Sequence, residues 1–220
     1  KAESRGLGDV YKRQAFGIFF NQGEVCSANS RLLVHSSIKD EMVGKLKERA
    51  EKIKQGNPLD PATTMGAMVD VNHAKKVEEF LNVGKAEAKL ITGGDRFSIN
   101  DSDAFIQPTI FADVSEDATI ARDEIFGPVL AIQTFDTEDE AIEMANKSVY
   151  GLAASVWTSE LARAMDLSDK LHVGTVSVNT VDALSAMTPF GGMKQSGFGR
   201  DLSIHSFDKY TALKTIWVKY

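Results

Sequence analysis

The sequence predicts an α/β fold with a mostly parallel sheet and flanking helices. The main observation is that strand-like and helix-like segments alternate over 129–178, in the order β-α-β-α-β. Strands joined by crossover helices pair in parallel, because each helix returns the chain to the same end of the sheet. The second observation is a globular composition of 220 residues, 43% hydrophobic and 25% charged. A chain of this length can bury a sizeable core.

The first segment, 1–14, does not share the pattern of the rest. It has no clear apolar period and contains the run GLGDVYKRQ, which is typical of translated adapter sequence. We therefore predict a non-native tail and exclude it from the fold. The alternative is a loop with a short native helix. The apolar run 15–20 is interpreted as a strand that enters the loop 21–23.

Apolar residues at helical spacing predict two helices in the first half of the chain. The first covers 37–54, with Ser36 or Ser37 as its N-cap, and the second covers 71–88. A strand is predicted at 105–111, where a proline indicates an edge or a bulge.

The predicted elements that follow alternate until the last two. They are, in order, a strand at 129–135, a helix at 137–147, a strand at 152–157, a helix at 160–170, a strand at 175–178, a helix at 202–209 and a strand at 213–218. The last strand has no partner after it, and an open strand edge tends to pair with another chain.

Composition excludes several classes of function. A net charge of −6 without a basic stripe argues against nucleic acid. No stretch reaches the about 18 apolar residues of a membrane span. The lone cysteine fits a reducing compartment, so we expect a cytoplasmic protein. The four histidines lack ligand spacing, and no metal site is predicted.

Cys26 is the candidate nucleophile. It follows an apolar run and a glycine turn and precedes small residues, where we expect a helical turn to begin. Exposed N–H groups at a helix start favour the thiolate, which is the reactive form. The alternative is a small buried cysteine without chemistry, and the residues alone favour that alternative.

Five segments in fixed order change the balance. They are FNQGEVCSANSR at 20–31, the glycine pair at 93–94, DEIFGP at 123–128, YGL at 150–152 and PFGGMKQSG at 189–197. Together they resemble the aldehyde dehydrogenase family, and the resemblance covers 15–220. The ordered set is far more specific than any one motif.

The resemblance implies a mechanism and a domain organisation. The thiolate of Cys26 would attack an aldehyde, and NAD or NADP would take up the hydride. The oxyanion Asn and the general base Glu of the family precede the cysteine signature and are not in this sequence. The implied domains are a catalytic thiol domain at 15–199, a linking helix at 200–210 and an oligomerisation strand at 211–220. The coenzyme-binding half is absent, and a homodimer or homotetramer is implied for the full-length protein.

The resemblance also implies site residues. Glu124 would accept hydrogen bonds from the nicotinamide ribose, since a carboxylate is an acceptor only; its alternative is a turn or cap carboxylate. Phe126 would pack near the nicotinamide, and Phe20 and Phe190 would line the substrate tunnel; for each of them the alternative is an ordinary core residue. Asp201 stands where many members have Glu, and its shorter side chain puts a proton relay in doubt.

The substrate is expected to contact the loop 180–188. The sequence resembles bacterial dehydrogenases of γ-aminobutyraldehyde and its γ-glutamyl conjugate, especially in its ending at 213–217. The loop departs from theirs by losing an acid, which puts cationic aminoaldehydes in doubt and leaves betaine aldehyde and aliphatic aldehydes open.

Two other classes of protein stay open at this point. One is a non-catalytic structural module of the same fold, and the other is a thioesterase-like hydrolase that uses the same thiol. We expect the 220-residue chain alone to be inactive and poorly soluble, because the face toward the missing half would be exposed.

Overall fold

The computed structural model describes residues 7–220. The α-helices are α1 (Leu7–Phe19), α2 (Lys39–Glu51), α3 (Val71–Glu87), α4 (Thr119–Arg122), α5 (Glu138–Asn146) and α6 (Leu161–Lys170). The strands are β1 (Arg31–His35), β2 (Lys89–Thr92), β3 (Arg96–Ile99), β4 (Ser102–Ile106), β5 (Thr109–Ala112), β6 (Val129–Phe135), β7 (Tyr150–Gly151), β8 (Ala153–Val156), β9 (Thr175–Val178) and β10 (Met193–Lys194). Short 3-10 helices span Phe20–Gly23, Ser36–Ile38 and Ile204–Lys209.

The largest sheet has four strands in the order β1-β6-β5-β2. The pairs β1/β6 and β5/β6 are parallel, and only β2 runs antiparallel, on β5. A second parallel pair, β8/β9, stands apart from this sheet among the described residues. The predicted α/β fold is confirmed, and the large sheet is mostly parallel. Among the described residues as a whole, three strand pairs are parallel (β1/β6, β5/β6 and β8/β9) and three are antiparallel (β2/β5, β3/β4 and β7/β10).

Helices cover both faces of the large sheet. Successive strand residues point to opposite faces, so that Leu130 and Ile132 pack with α1 and α2, whereas Val129 and Ala131 pack with α3 and α4. A fully buried apolar side chain contributes about 1.5–3 kcal/mol relative to an exposed one. The two clusters, one on each face, therefore hold the sheet between two helical layers.

Several predicted elements are confirmed within one residue or two. They are the helix α3, the strand β6, the helix α5, the strand β8, the helix α6 and the strand β9. The helix α5 begins where predicted because the Thr137 hydroxyl accepts the N–H of Glu140. The first helix is shorter than predicted, since α2 covers 39–51 and a 3-10 turn precedes it. The predicted cap is wrong: the ring of His35, and neither serine, accepts the N–H of Ser37.

The segment before the cysteine loop, which is the loop 21–27 that carries Cys26, differs from the prediction. The run 15–20 was interpreted as a strand, but α1 extends through it, with Ala15, Ile18 and Phe19 buried on one side. The helix begins inside the predicted tail, and the Gln14 amide, 2% exposed, donates to the Asn29 carbonyl at 2.9 Å. A run of six apolar residues fits either element, and packing against α2 decided it. Residues 1–6 lie outside the described residues, and a non-native origin of 1–14 stays a prediction.

Two further stretches predicted as strands are not continuous strands within this chain, and the predicted pairing of the second with another subunit stays a prediction. The stretch 105–111 is split at Pro108, because β4 pairs with β3 while β5 enters the large sheet. Proline lacks the N–H needed to continue a ladder. The stretch 213–218 is irregular and exposed in the described chain, since no strand of the same chain lies beside it. The predicted helix 202–209 is a 3-10 helix from Ile204 to Lys209.

Candidate active site

Cys26 is exposed at the end of a tight turn that begins where α1 ends. Asn21, Gln22 and Gly23 all have positive φ, with values of 47°, 57° and 72°. After them, residues 24–30 form turns and irregular chain that lead into β1. The helical turn expected after the cysteine is therefore not present. The thiol instead projects from a loop that three left-handed residues hold in shape.

The cysteine loop is pressed against the loop 123–128. A Cβ placed on Gly23 would lie 2.2 Å from the carbonyl oxygen of Gly127, so that only a glycine permits this approach. The resemblance placed the cysteine and the cofactor glutamate on two loops 98 residues apart in the sequence, from Cys26 to Glu124. The structure brings those loops into backbone contact.

Cys26, Glu124 and Phe126 line one cleft of about 590 Å³. Its other walls include β1 and β8, whose unpaired edges face the same space. The Glu124 side chain is exposed, and it accepts no hydrogen bond from any residue in the described range 7–220. An acceptor-only group that is free in a cleft fits the two neighbouring hydroxyls of a ribose. These residues therefore suit the nicotinamide half of NAD or NADP.

Phe126 is held in an unusual backbone conformation. Its φ is 56°, in the left-handed region that bulky residues seldom adopt. The ring is 39% exposed and lies edge-on to the His73 ring at a centroid distance of 6.1 Å. The exposed part of this ring is an apolar surface beside Glu124.

The two tunnel aromatics are not brought to this cleft. Phe20 is exposed and stacks on Phe16 at 4.8 Å. Phe190 lines a separate small hollow together with Ser27 and Asp182. The tunnel assignment of both residues stays a prediction.

The aspartate named as an uncertain relay has a different environment. Asp201 exchanges two backbone hydrogen bonds with Phe190, at 2.9 and 2.7 Å. Its carboxylate pairs with Lys209, and this hydrogen bond raises the pKa of the lysine. Through these hydrogen bonds, Asp201 holds the backbone in place at Phe190.

The contacts of two residues at the site, Ser27 and His73, were not predicted from the sequence. The Ser27 hydroxyl, next to the nucleophile, donates to the Asp182 carboxylate at 2.6 Å and ties the cysteine loop to the loop 180–188. Nε2 of His73 lies 2.7 Å from the Phe126 carbonyl oxygen and 3.8 Å from Glu24. No local signal in the sequence pointed to any of these contacts.

A half-buried cation also borders the cleft. The Arg31 guanidinium donates to the Met144 and Ala145 carbonyls at 3.4 and 3.2 Å. These carbonyls lie at the C-terminal end of α5, which carries partial negative charge. Burial lowers the pKa of Arg31 below its usual value, yet arginine remains charged at neutral pH. Its contacts are those of a helix cap.

Neither a metal cluster nor a membrane helix is found in the described part of the chain. No group of three or more His, Cys, Asp or Glu residues there is placed to hold a metal ion. No helix among residues 7–220 is long and apolar enough to cross a membrane.

Known proteins resemble this chain over nearly its whole length. It is 48% identical over 217 residues to the NADP/NAD-dependent aldehyde dehydrogenase PuuC of Escherichia coli K12, which covers 99% of this chain and 43% of that protein. It is 46% identical over 204 residues to a betaine aldehyde dehydrogenase of Sinorhizobium fredii, covering 92% of this chain and 42% of the relative. The chain therefore spans less than half the length of these relatives.

Solved structures give the same result. The indole-3-acetaldehyde dehydrogenase AldA of P. syringae, in complex with NAD⁺, matches with a TM-score of 0.95 and 46% identity, over 100% of this chain and 44% of that one. A γ-glutamyl-γ-aminobutyraldehyde dehydrogenase of Burkholderia cenocepacia matches with a TM-score of 0.92 and 48% identity, over 96% and 43% of the two chains. The sequence also matches the aldehyde dehydrogenase family over residues 4–216. This chain belongs to the aldehyde dehydrogenase family.

Proposed function

We propose that the longer protein containing this chain oxidises an aldehyde to a carboxylic acid with NAD or NADP. The observation that carries the proposal is one cleft in which an exposed thiol, Cys26, faces the same space as Glu124 and Phe126. Family membership and relatives described as NADP/NAD-dependent support it.

Cys26 would act as the nucleophile. Its thiolate adds to the carbonyl carbon, forming a carbon–sulfur bond and leaving negative charge on the former carbonyl oxygen. The N–H of Cys26 donates to no acceptor within residues 7–220, so it is free to donate a hydrogen bond to that negatively charged oxygen. Bound nicotinamide would supply the acceptor for the hydride that leaves the same carbon. The thioester that remains on Cys26 is then cleaved by water, which yields the acid and restores the thiol.

The water step needs a general base, and Glu24 does not suit that role. Its carboxylate accepts the Val69 N–H at 3.0 Å and lies beside His73, with the side chain only 9% exposed. A group engaged with backbone and buried in this way is poorly placed to take a proton from water. We assign the base, and the side chain that assists the oxyanion, to the part of the protein that the relatives have and this chain lacks.

Glu124 and Phe126 would hold the cofactor. Glu124 would receive the ribose hydroxyls, and the exposed part of the Phe126 ring would lie along the nicotinamide. Neither contact distinguishes NAD from NADP, because both cofactors share this half of the molecule.

The substrate is proposed to be a small aldehyde that meets the loop 180–188. That loop is tied to the nucleophile's neighbour through Ser27 and Asp182. Because the Asp182 carboxylate already accepts this hydrogen bond, part of its capacity to bind a cationic substrate is used. We therefore compare a cationic, a quaternary ammonium and an aliphatic aldehyde, with Phe20 and Phe190 as the proposed apolar contacts.

The exposed tail 211–220 is proposed to pair with another subunit. It carries the apolar side chains Leu213, Ile216, Trp217 and Val218 on the surface of a single chain. A dimer or tetramer would cover them, and removal of the tail should give a smaller assembly when light scattering measures the mass. We also propose a cytoplasmic enzyme, where the lone thiol would stay reduced.

The test uses the full-length protein, obtained by recovering the upstream coding sequence. NAD reduction is measured with γ-aminobutyraldehyde, betaine aldehyde and propanal, for the wild type and for Cys26→Ala. We expect the variant to lose at least about 10³-fold in kcat, as other enzymes do when their nucleophile is removed. Activity that is the same in Cys26→Ala would overturn the role of Cys26 as the nucleophile, whereas a wild type without NAD reduction would favour the structural module. We further expect residues 1–220 alone to give no measurable NAD reduction, because base and coenzyme half are missing.

A further inference from the structure

We propose that His73, at the start of α3, is a positioning residue that holds the cysteine loop and the cofactor loop in register. Here the cysteine loop is 21–27 and the cofactor loop is 123–128. The inference rests on the proposed function for its catalytic meaning, but its structural content can be tested without activity. His73 touches neither Cys26 nor Glu124, so its effect is exerted through the loops that carry them.

The contact with the cofactor loop is a single directed hydrogen bond. The Phe126 carbonyl can only accept, so Nε2 of His73 must carry the hydrogen at the observed 2.7 Å. The two rings also meet edge-on. Because Phe126 has a φ of 56°, its conformation persists only where surrounding contacts hold it. The bond from His73 falls on the carbonyl of that very residue.

The contact with the cysteine loop runs through Glu24. Its carboxylate lies 3.8 Å from Nε2 of His73 and accepts the Val69 N–H at 3.0 Å. Three residues earlier in the same segment, the Gly66 N–H donates to the Gln22 side chain at 3.4 Å. The segment 66–73 therefore contacts the cysteine loop at two points and the cofactor loop at a third.

The position of His73 is itself fixed. The Asp70 carboxylate caps α3 by accepting the His73 N–H at 2.7 Å. The helix behind it is anchored by Val77 and Leu81, which are fully buried in the core. A rigid support of this kind is what a positioning residue requires. The two loops also meet each other directly at Gly23 and Gly127, so that the segment with His73 is the third of three parts in mutual contact.

The first test measures hydrogen exchange in the full-length protein. His73→Leu removes the donor, whereas His73→Gln keeps an N–H that can reach the Phe126 carbonyl. We expect His73→Leu to accelerate amide exchange several-fold in both 21–27 and 123–128 and to leave β6 unchanged, and His73→Gln to restore most of the protection. His172→Leu, at an exposed histidine of the C-terminal region, is the matched control and should change neither loop.

The second test separates positioning from simple structural loss. We expect His73→Leu to raise the KM for NAD about tenfold and to slow the alkylation of the Cys26 thiol measurably. The change in kcat should be smaller, and Tm should not fall to match. Glu24→Gln keeps an acceptor for the Val69 N–H and shows how much of the effect requires the carboxylate charge.

Either of two outcomes would overturn the inference. One is faster exchange confined to the start of α3, with both loops unchanged. The other is a uniform fall of kcat and Tm that His73→Gln does not rescue. If the wild type itself shows no Cys26-dependent oxidation, the proposed function fails, and the exchange measurement still decides whether His73 joins the two loops.

Discussion

The sheet region, residues 7–135, and the C-terminal region, residues 136–220, are built very differently. The sheet region contains the four-stranded sheet and both buried clusters. In the C-terminal region of the described chain, the buried apolar residues are Met144, Val156, Ala164 and Val181. Its strands form isolated pairs, and its last ten residues are all exposed.

The two regions obtain their stability from different contacts. In the sheet region, helices on both faces shield the strands within this chain. In the C-terminal region, α6 has an apolar outer side, and one edge of β8 faces an open cleft. Large exposed apolar surfaces mark contacts with other parts of a protein. The region is therefore expected to depend on parts of the protein beyond this chain.

The stabilities of the two regions can be compared directly by making the same leucine-to-alanine substitution in each region. Leu46 is 0% exposed on α2, whereas Leu161 is 76% exposed on α6. Leu46→Ala should lower the free energy of unfolding by about 2–5 kcal/mol, because it leaves a cavity. Leu161→Ala should change it by less than about 0.5 kcal/mol unless a neighbouring part of the protein covers it. Urea denaturation of the full-length protein measures both, and equal losses would mean that Leu161 is buried there.

Two glycines with positive φ, one in each region, allow the same comparison for the backbone. Gly23 has a φ of 72° and meets Gly127, whereas Gly197 has a φ of 101° and open space around it. Gly23→Ala combines strain with a backbone clash and should cost about 2–4 kcal/mol. Gly197→Ala carries the strain alone, about 1 kcal/mol. Thermal melting would contradict this account if both variants lost the same stability.

Removal of residues 211–220 should have a small effect on the fold and a large one on association. These residues bury little within the chain, so the unfolding free energy of a dissociated subunit should change by less than about 0.5 kcal/mol. Light scattering should show a smaller assembly. A truncated protein that keeps its mass would remove the tail from the oligomer interface.

The smallest expected effect is the pH dependence of the Lys209–Asp201 pair. The hydrogen bond raises the pKa of Lys209. A raised pKa in the folded state means that the stabilisation is present below the unfolded value of about 10.4 and is lost as pH rises through the folded value. Lys209→Met should thus differ slightly from the wild type at neutral pH and match it in strong alkali. High salt should shrink the difference, because the pair is exposed.

The sequence predicted the elements that have a clear apolar period, in both regions, better than the elements that lack one. The helix α3 and the strand β6 were found with nearly correct ends, because their apolar periods are long and uninterrupted. The run 15–20 was misassigned because six apolar residues in a row carry no period. The tail 213–218 is irregular among the described residues for a different reason: a strand forms only when a partner lies beside it, and its pairing with another subunit stays a prediction.

The site shows the same division. Cys26, Glu124 and Phe126 could be named because ordered motifs identify residues by type and spacing, and the family membership is confirmed. The pairing of Ser27 with Asp182 and the place of His73 could not be named. Each joins loops that are far apart in the sequence, and their contact depends on how three segments pack.

The sequence by itself determined the family, the candidate nucleophile and the alternation of strands and helices, since each is written in local pattern and composition. Only the tertiary structure decided that the cysteine and cofactor loops touch at Gly23 and Gly127, that α1 runs into the cysteine turn, and that Phe20 and Phe190 lie outside the cleft. The physical reason is that these outcomes are set by close packing between distant segments. Packing is specified by the whole fold and by no short stretch of residues.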